Sequence, residues 1–210
     1  MKNLQELFVD QLKDVHNAEK QLVKALPRMA KAATTAALRK AFEDHLAVTR
    51  EQVARLDAVF EEVGARPGRK KCAAMEGLVQ EGEELIAEDP APEVLDAGLI
   101  AAAQRVEHYE IAAYGTLRSY AKVLGHKNAA KLLEKTLKEE EATDQLLTNL
   151  AEGGINEKAV SPPEEEQNDR GKTLVGKAIK AVAEATGLAS EPPKKAKARK
   201  GTGTGRKGGG

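Results

Sequence analysis

Apolar and small residues recur every three or four positions along four long stretches of the chain. These stretches cover about residues 3–33, 36–63, 92–124 and 127–151. The spacing places the apolar side chains on one face of a helix, so each stretch predicts a long amphipathic helix. A shorter helix is predicted at about residues 72–88. The pattern therefore predicts an all-α fold.

Glycine, threonine and proline mark the predicted ends and bends of these helices. Gly64, Gly125 and Gly153 follow the second, third and fourth long helices, as is common where a chain leaves a helix. Thr35 is predicted as the N-cap residue of the second helix. Pro27 lies inside the first helix and predicts either one bent helix or two pieces.

Polar residues interrupt the apolar face in the middle of every long helix. In chain order they are Glu19; His45, Thr49 and Gln52; Glu107 and Glu110; Glu140 and Asp144. A carboxylate at a core-facing position is costly unless it is paired, hydrogen-bonded or bound to a metal. Four interruptions at similar positions therefore predict one shared polar layer.

Matching heights in antiparallel hairpins predicts which of these side chains meet. Residues equally far from a turn lie level, and the turns are expected near residues 35 and 126. The ligands expected in the layer are Glu19, Glu110, Glu140 and Asp144. Glu107 is expected one turn away, and His45 lies about 10 Å from Gln52 along the helix axis. We therefore expect Glu107 and His45 as additional ligands or at the edge of the site.

Three neutral side chains, Thr49, Gln52 and Tyr114, are expected around the ligands. Tyr114 lies on the apolar face of the third helix, where its hydroxyl could donate to a carboxylate. Glu139 and His108 lie off the apolar faces and are expected at solvent. Tyr109 is predicted to be a packing residue.

The chemistry of the layer predicts a metal site. Buried carboxylates in one layer repel each other unless protons or cations intervene. Oxygen ligands with one imidazole suit Fe, Mn or Mg better than sulfur-preferring metals. Carboxylates gathered from four helices are typical of dinuclear iron or manganese sites. The alternative is that the charges face solvent or form ion pairs with Arg105, Lys24 or Lys138.

Charge is divided unevenly along a chain whose formal net charge is zero. Residues 161–210 hold 11 basic and 6 acidic side chains, against 22 basic and 27 acidic in residues 1–160. We expect residues 1–160 to form the helical domain. Residues 161–210 are expected to form a polar linker, a short amphipathic helix and a disordered Lys/Gly-rich tail. The tail could bind nucleic acid or another polyanion weakly, through Lys194, Lys195, Lys197, Arg199 and Lys200; a solubilising tail is the alternative.

Cysteine content and hydropathy exclude several classes of protein. Cys72 is the single cysteine, which excludes an intrachain disulfide framework and a cysteine-based zinc site; it is predicted to be inert packing. The N-terminus carries charges where a signal peptide is apolar. No apolar run approaches the roughly 18 residues that a membrane span needs. A cytoplasmic protein is expected.

Several segments of the first 160 residues resemble the YciE/YciF family. They are AEKQL at 18–22, ALPRMAKAA at 25–33, AFEDHL at 41–46, CAAMEGL at 72–78 and LIAAAQRVEHYEIAAYGTL at 99–117. Thr49 with Gln52, and the EE-x-x-x-D of Glu139, Glu140 and Asp144, also match. The resemblance implies a ferritin-like antiparallel four-helix bundle, with the short helix in the long crossover between the second and third long helices.

The same resemblance implies a function. Members of this family are homodimers associated with bacterial stress, described as oxidising Fe(II) with O₂ or peroxide. This chain departs from ferritins in two helices, since His45, Thr49 and Gln52 stand where Glu-x-x-His is expected, and the fourth helix has no histidine. The alternative function is a non-enzymatic structural or stress-interaction protein with a vestigial polar layer.

Overall fold

Residues 1–160, which the computed structural model describes, are helical almost throughout. The helices are α1 Leu4–Ala32, α2 Ala36–Glu62, α3 Ala73–Ala87, α4 Pro92–Leu124, α5 Lys127–Leu150 and α6 Asn156–Val160, with a π-helix at Ala151–Ile155 between the last two. The all-α prediction is confirmed. The predictions for residues 161–210, including the five basic residues of the tail, lie outside the described residues.

Two hydrophobic clusters fill the two ends of a four-helix bundle made by α1, α2, α4 and α5. The first joins the second half of α1, the start of α2, the first half of α4 and the end of α5; it includes Leu22, Leu26, Leu38, Phe42, Ile100 and Leu147. The second joins the opposite halves and includes Phe8, Leu12, Leu56, Phe60, Leu117 and Leu133. The α1–α2 and α4–α5 pairs are therefore antiparallel hairpins.

The crossover between the hairpins runs along the length of the bundle. Because α2 and α4 both begin at the first cluster, they run in the same direction, and residues 63–91 must return from one end to the other. Helix α3 lies in this crossover and buries Met75 against the first cluster. The bundle with one extra crossover helix agrees with the predicted fold.

Two helix boundaries show what local sequence decides and what it does not. Helix α1 continues through Pro27 to Ala32 as one element. Thr35 is the N-cap residue of α2, as predicted, although its side chain makes no capping hydrogen bond. Instead the buried Asp96 carboxylate of α4 accepts from the backbone N–H groups of Thr34 at 2.7 Å and Thr35 at 2.9 Å. A negative charge is favourable at a helix N-terminus.

Among the helices of residues 1–160, none is both long and apolar enough to cross a membrane.

Candidate metal centre

A layer of buried polar side chains separates the two hydrophobic clusters. Each long helix contributes to it where its apolar face is interrupted. The members, none more than 6% exposed, are Glu19 on α1, His45, Thr49 and Gln52 on α2, Glu107 and Glu110 on α4, and Glu140 on α5. Charged groups this deeply buried require partners, because burial removes their hydration.

Four of these residues converge closely enough to share a cation. His45, Glu107, Glu110 and Glu140 each offer one ligand atom, and the four atoms lie within 4.8 Å of one another. His45 Nε2 is 3.3 Å from Glu107 Oε1 and 4.0 Å from Glu140 Oε2. Atoms that bind one metal ion at about 2 Å are themselves about 3–4 Å apart. The spacing therefore fits a metal ion bound between them.

Glu19 adjoins this group and is held by a tyrosine. The Tyr114 hydroxyl donates to Glu19 Oε1, and both side chains are fully buried. Burial is the largest influence on Glu19 and raises its pKa to about 7, although the Tyr114 hydrogen bond acts in the opposite direction. The nearby Glu107 carboxylate adds to the rise.

Glu110 and Glu140 also ionise less readily than free carboxyl groups. Burial raises the pKa of Glu110 well above its usual value, and the charges of Glu19, Glu140 and Glu107 raise it further. Burial and the charges of Glu107 and Glu19 do the same to the pKa of Glu140. Ionisation of one of these groups therefore disfavours ionisation of its neighbours. A bound cation removes this repulsion and favours the ionised forms.

His45 is arranged so that one ring nitrogen faces the carboxylates. Burial opposes protonation of the ring, but the charges of Glu107 and Glu19 outweigh it and raise the pKa of His45. The Thr143 hydroxyl donates to the Glu139 carbonyl at 3.0 Å and lies 3.4 Å from His45 Nδ1. Since the single hydroxyl proton is used there, the hydroxyl accepts from Nδ1–H. In the neutral ring this leaves the Nε2 lone pair directed at the carboxylates, as in many metal-binding histidines.

With the carboxyl groups ionised and His45 neutral, six buried polar atoms of the layer have no hydrogen-bond partner within residues 1–160. They are Glu19 Oε2, His45 Nε2, Gln52 Oε1, Glu107 Oε2, Glu110 Oε1 and Glu140 Oε2. An unsatisfied buried acceptor costs about 1–3 kcal/mol, and five of these atoms are oxygens. A divalent cation is a partner that oxygen atoms and one imidazole nitrogen satisfy together. The residues present therefore fit a metal.

The structure brings together a different set of residues from the one that height matching selects. Asp144 was expected in the layer, but its Oδ1 accepts from Gln104 at 3.1 Å and lies 3.5 Å from the exposed His108. Four residues along a helix rotate a side chain by about 40° and move it about 6 Å, which carries Asp144 away from Glu140 towards α4.

Glu107 and His45, expected at the edge of the site, lie within the close group instead. Glu140 brings His45 into the group because its two oxygens reach two positions on α2. Its Oε1 accepts from Gln52, and its Oε2 lies 4.0 Å from His45 Nε2. One carboxylate thus lies between two α2 residues that are two turns apart. Counting residues from the turns also leaves the offset between the two hairpins undetermined.

The surrounding side chains differ from the expected ones too. The Thr49 hydroxyl donates to the His45 carbonyl at 2.9 Å, within its own helix. Glu139 was expected at solvent, but Arg55 donates to both of its oxygens, at 2.8 and 3.1 Å. Arg55 is itself buried and also donates to Thr136 at 2.6 Å. Sequence reasoning missed this pair, although Arg55 lies three residues after Gln52, on the same face of α2.

The cations considered as alternative partners are engaged elsewhere or exposed. Arg105 lies 3.3 Å from Glu81, and Lys138 lies 3.9 Å from Glu134 on its own helix. Lys24 is exposed. Ion pairing with these three residues therefore does not account for the buried carboxylates.

Comparisons with known proteins agree with the fold and with the earlier resemblance. Residues 3–160 match the family described as Domain of unknown function (DUF892). Protein YciF of Escherichia coli (strain K12) is 50% identical over 160 residues, which are 76% of this chain and 96% of that protein. The crystal structure of the E. coli stress protein YciF superposes with a TM-score of 0.72 at 49% identity, covering 74% of this chain and 99% of the other. YcfI from Rhodopseudomonas palustris, provisionally described as structural, has a TM-score of 0.68 at 41% identity, covering 70% and 94%.

Proposed function

The chain belongs to the DUF892 family, and we propose that it is a ferritin-like stress-response protein with a dinuclear Fe or Mn centre in its bundle core. The family match and the identity to YciF agree with the resemblance to the YciE/YciF family. The observation that carries the proposal is the set of six unpartnered polar atoms contributed by all four long helices.

Charge balance supports two cations rather than one. Glu19, Glu107, Glu110 and Glu140 together bring four negative charges when ionised, and a neutral His45 brings none. Two divalent cations would balance these charges in a site that excludes water. His45, Glu107, Glu110 and Glu140 would hold the metal directly, with Glu19 completing the site from α1. Iron in such a site supplies one-electron redox chemistry.

The proposed activity is oxidation of Fe(II), as substrate, by O₂ or peroxide. Two Fe(II) ions would each lose one electron. These two electrons, with two protons from solvent, would reduce O₂ to H₂O₂, or H₂O₂ to two water molecules. The protein would contribute anionic oxygen ligands, which favour the higher charge of Fe(III). Tyr114 would fix the orientation of Glu19, and the hydrophobic clusters on both sides would exclude bulk water from the layer.

Metal analysis followed by an oxidation assay tests this proposal. Protein loaded anaerobically with Fe(II) or Mn(II) and then desalted should retain close to two ions per chain. A Glu110→Gln, Glu140→Gln double variant should retain far less. Addition of O₂ or peroxide to the iron-loaded protein should then oxidise Fe(II) faster than a protein-free control. Near-zero metal retention by the natural sequence would contradict the proposal.

A non-enzymatic structural role is the second candidate, and the provisional description of YcfI as structural favours it. In that case the layer would bind metal, or protons, without turnover. Metal retention combined with Fe(II) oxidation no faster than in buffer would select this role.

Three further predictions concern the molecule as a whole: homodimer formation, a cytoplasmic location and weak polyanion binding by the basic tail. Light scattering measures the first, and cell fractionation the second. Deletion of residues 190–210 should abolish salt-sensitive retention on immobilised DNA if the tail binds polyanions.

A further inference from the structure

Gln52 is a buried amide whose orientation is determined by its neighbours. It is 1% exposed, and its Nε2 donates to Glu140 Oε1 and, at 3.2 Å, to Glu139 Oε2. Glu139 is paired with Arg55, which donates to both of its oxygens, so this carboxylate only accepts hydrogen bonds. The Gln52 atom that faces it is therefore assigned as the NH₂ group. The amide oxygen is thereby turned away from Glu139 and Glu140.

That oxygen is one of the unsatisfied atoms of the layer. Gln52 Oε1 is buried and accepts no hydrogen bond from any residue of the described chain. Amide geometry places it about 2.2 Å from Nε2, and therefore within about 5 Å of the Glu140 oxygen to which Nε2 donates. It is thus a free acceptor at the α2 side of the site.

An ion pair between the buried Arg55 and the partly buried Glu139 holds this arrangement in place. Arg55 donates to both oxygens of Glu139 and to the Thr136 hydroxyl. The bidentate contact fixes the plane of the Glu139 carboxylate, which in turn accepts from Gln52. Because Arg55 balances the charge of Glu139, the pair adds no net charge to the site.

We propose that the Gln52 amide oxygen is a neutral metal ligand, and that the Arg55–Glu139 pair positions it. This inference rests on the proposed metal centre and adds a ligand to it from α2, beside His45. A neutral oxygen completes the coordination of divalent cations without adding a fifth negative charge to the four carboxylates. It also satisfies the last unpartnered oxygen of the layer.

Co(II) titration of the full-length protein provides the test, because its visible d–d absorption reports the number and type of ligands. Gln52→Leu should weaken Co(II) binding about 10–100-fold and change the spectrum. Gln52→Glu, which keeps a ligand oxygen but loses the NH₂ donor, should bind at least as tightly as the natural sequence at pH 8. Arg55→Met combined with Glu139→Gln should weaken binding about 10-fold.

Thr49→Val is the matched control, since Thr49 is buried in the same helix and layer but donates only to its own backbone. It should leave affinity and spectrum unchanged, and circular dichroism should show all variants folded. Unchanged affinity and spectrum in Gln52→Leu would overturn the inference. Equal losses in Gln52→Leu and Gln52→Glu would overturn it too, because they would make Gln52 only a donor to Glu140. Failure of the natural sequence to bind Co(II) would instead refute the metal centre itself.

Discussion

Two polar networks in this protein, the buried central layer and a partly buried network around Tyr109 and Cys72, differ in whether all their buried atoms have hydrogen-bond partners. Beside the first hydrophobic cluster, Tyr109 donates to Asp14 at 2.6 Å, and the Cys72 thiol lies 3.0 Å from the Tyr109 hydroxyl, to which it donates. The Cys72 backbone N–H donates to Asn17, and its carbonyl accepts from Gln21. Within residues 1–160, none of these groups is left unpartnered.

The central layer shows the opposite arrangement. Its carboxylates, imidazole and amide leave six atoms without a partner in the described chain. A chain that pairs the polar groups of one network fully has no general difficulty in pairing polar groups. We call the central layer the open network and the network around Tyr109 and Cys72 the closed network. The difference indicates that the open network binds a partner from outside the chain, such as a cation. The closed network joins α1, α3 and α4. Four perturbations separate the two networks.

The largest effect is expected from pH, acting on Glu19 of the open network. Its pKa is raised to about 7 by burial, from an ordinary value of 4.5. When a carboxyl group has a higher pKa in the folded state than in the unfolded chain, its full stabilising contribution is present at pH values below the unfolded-chain pKa. That contribution is lost as the pH rises through the folded-state pKa. A shift of this size corresponds to roughly 3 kcal/mol.

Urea unfolding of the metal-free protein between pH 4.5 and 8 measures this loss. The Glu19→Gln variant serves as reference, because it keeps the acceptor for Tyr114 but does not titrate. The difference in stability between the two proteins should change by roughly 3 kcal/mol across this range. A constant difference would show that Glu19 ionises as freely in the folded chain as in the unfolded one.

Metal loading is expected to have the next largest effect. At a free Mn(II) concentration 100 times the Kd of the tighter site, filling that site in the folded state alone stabilises the protein by about 2.7 kcal/mol. Thermal unfolding should show this gain in the natural sequence and lose it in Glu107→Gln. Asp144→Asn is the control, because Asp144 pairs with Gln104 outside the close group. Loss of the gain in Asp144→Asn would mean that Asp144 is a ligand after all.

Removing hydrogen bonds from the closed network should change the stability of the protein by less than pH or metal loading does. Tyr109→Phe removes the hydroxyl that joins Asp14 to Cys72. Losing these two hydrogen bonds, one of them to a carboxylate, should cost about 2 kcal/mol. Denaturant unfolding of the metal-free protein measures the loss. Mn(II) affinity should stay unchanged, and a parallel fall in affinity would show that the two networks act as one.

Replacing two carboxyl groups of the open network should have the smallest effect on the metal-free protein. In Glu110→Gln with Glu140→Gln, neutral amides replace groups that already favour their neutral forms. Stability should remain within about 1 kcal/mol or rise as repulsion is relieved. A loss of several kcal/mol in denaturant unfolding would show that these carboxylates stabilise the bundle without metal.

Local sequence patterns account for much of the fold. The spacing of apolar residues marked all four long helices and α3, and the interrupted faces placed Glu19, Glu110 and Glu140 at the middle of the bundle. Gly125 ends α4 with a φ of 82°, a left-handed conformation that glycine adopts without strain.

Contacts between distant segments account for what the sequence left open. The cap of α2 comes from Asp96 on another helix, which the local signal at Thr35 cannot show. The inclusion of His45 depends on the offset between two hairpins, which loop lengths do not set. Arg55 and Glu139 are 84 residues apart, so each looks like an ordinary charged residue until the helices pack.

Anomalous diffraction from crystals soaked in Mn(II) tests the central claim most directly. The account predicts two manganese peaks in the layer between the hydrophobic clusters, with His45, Glu107, Glu110 and Glu140 among the ligands. Crystals diffracting well after the soak, with no anomalous peak in that layer, would contradict it.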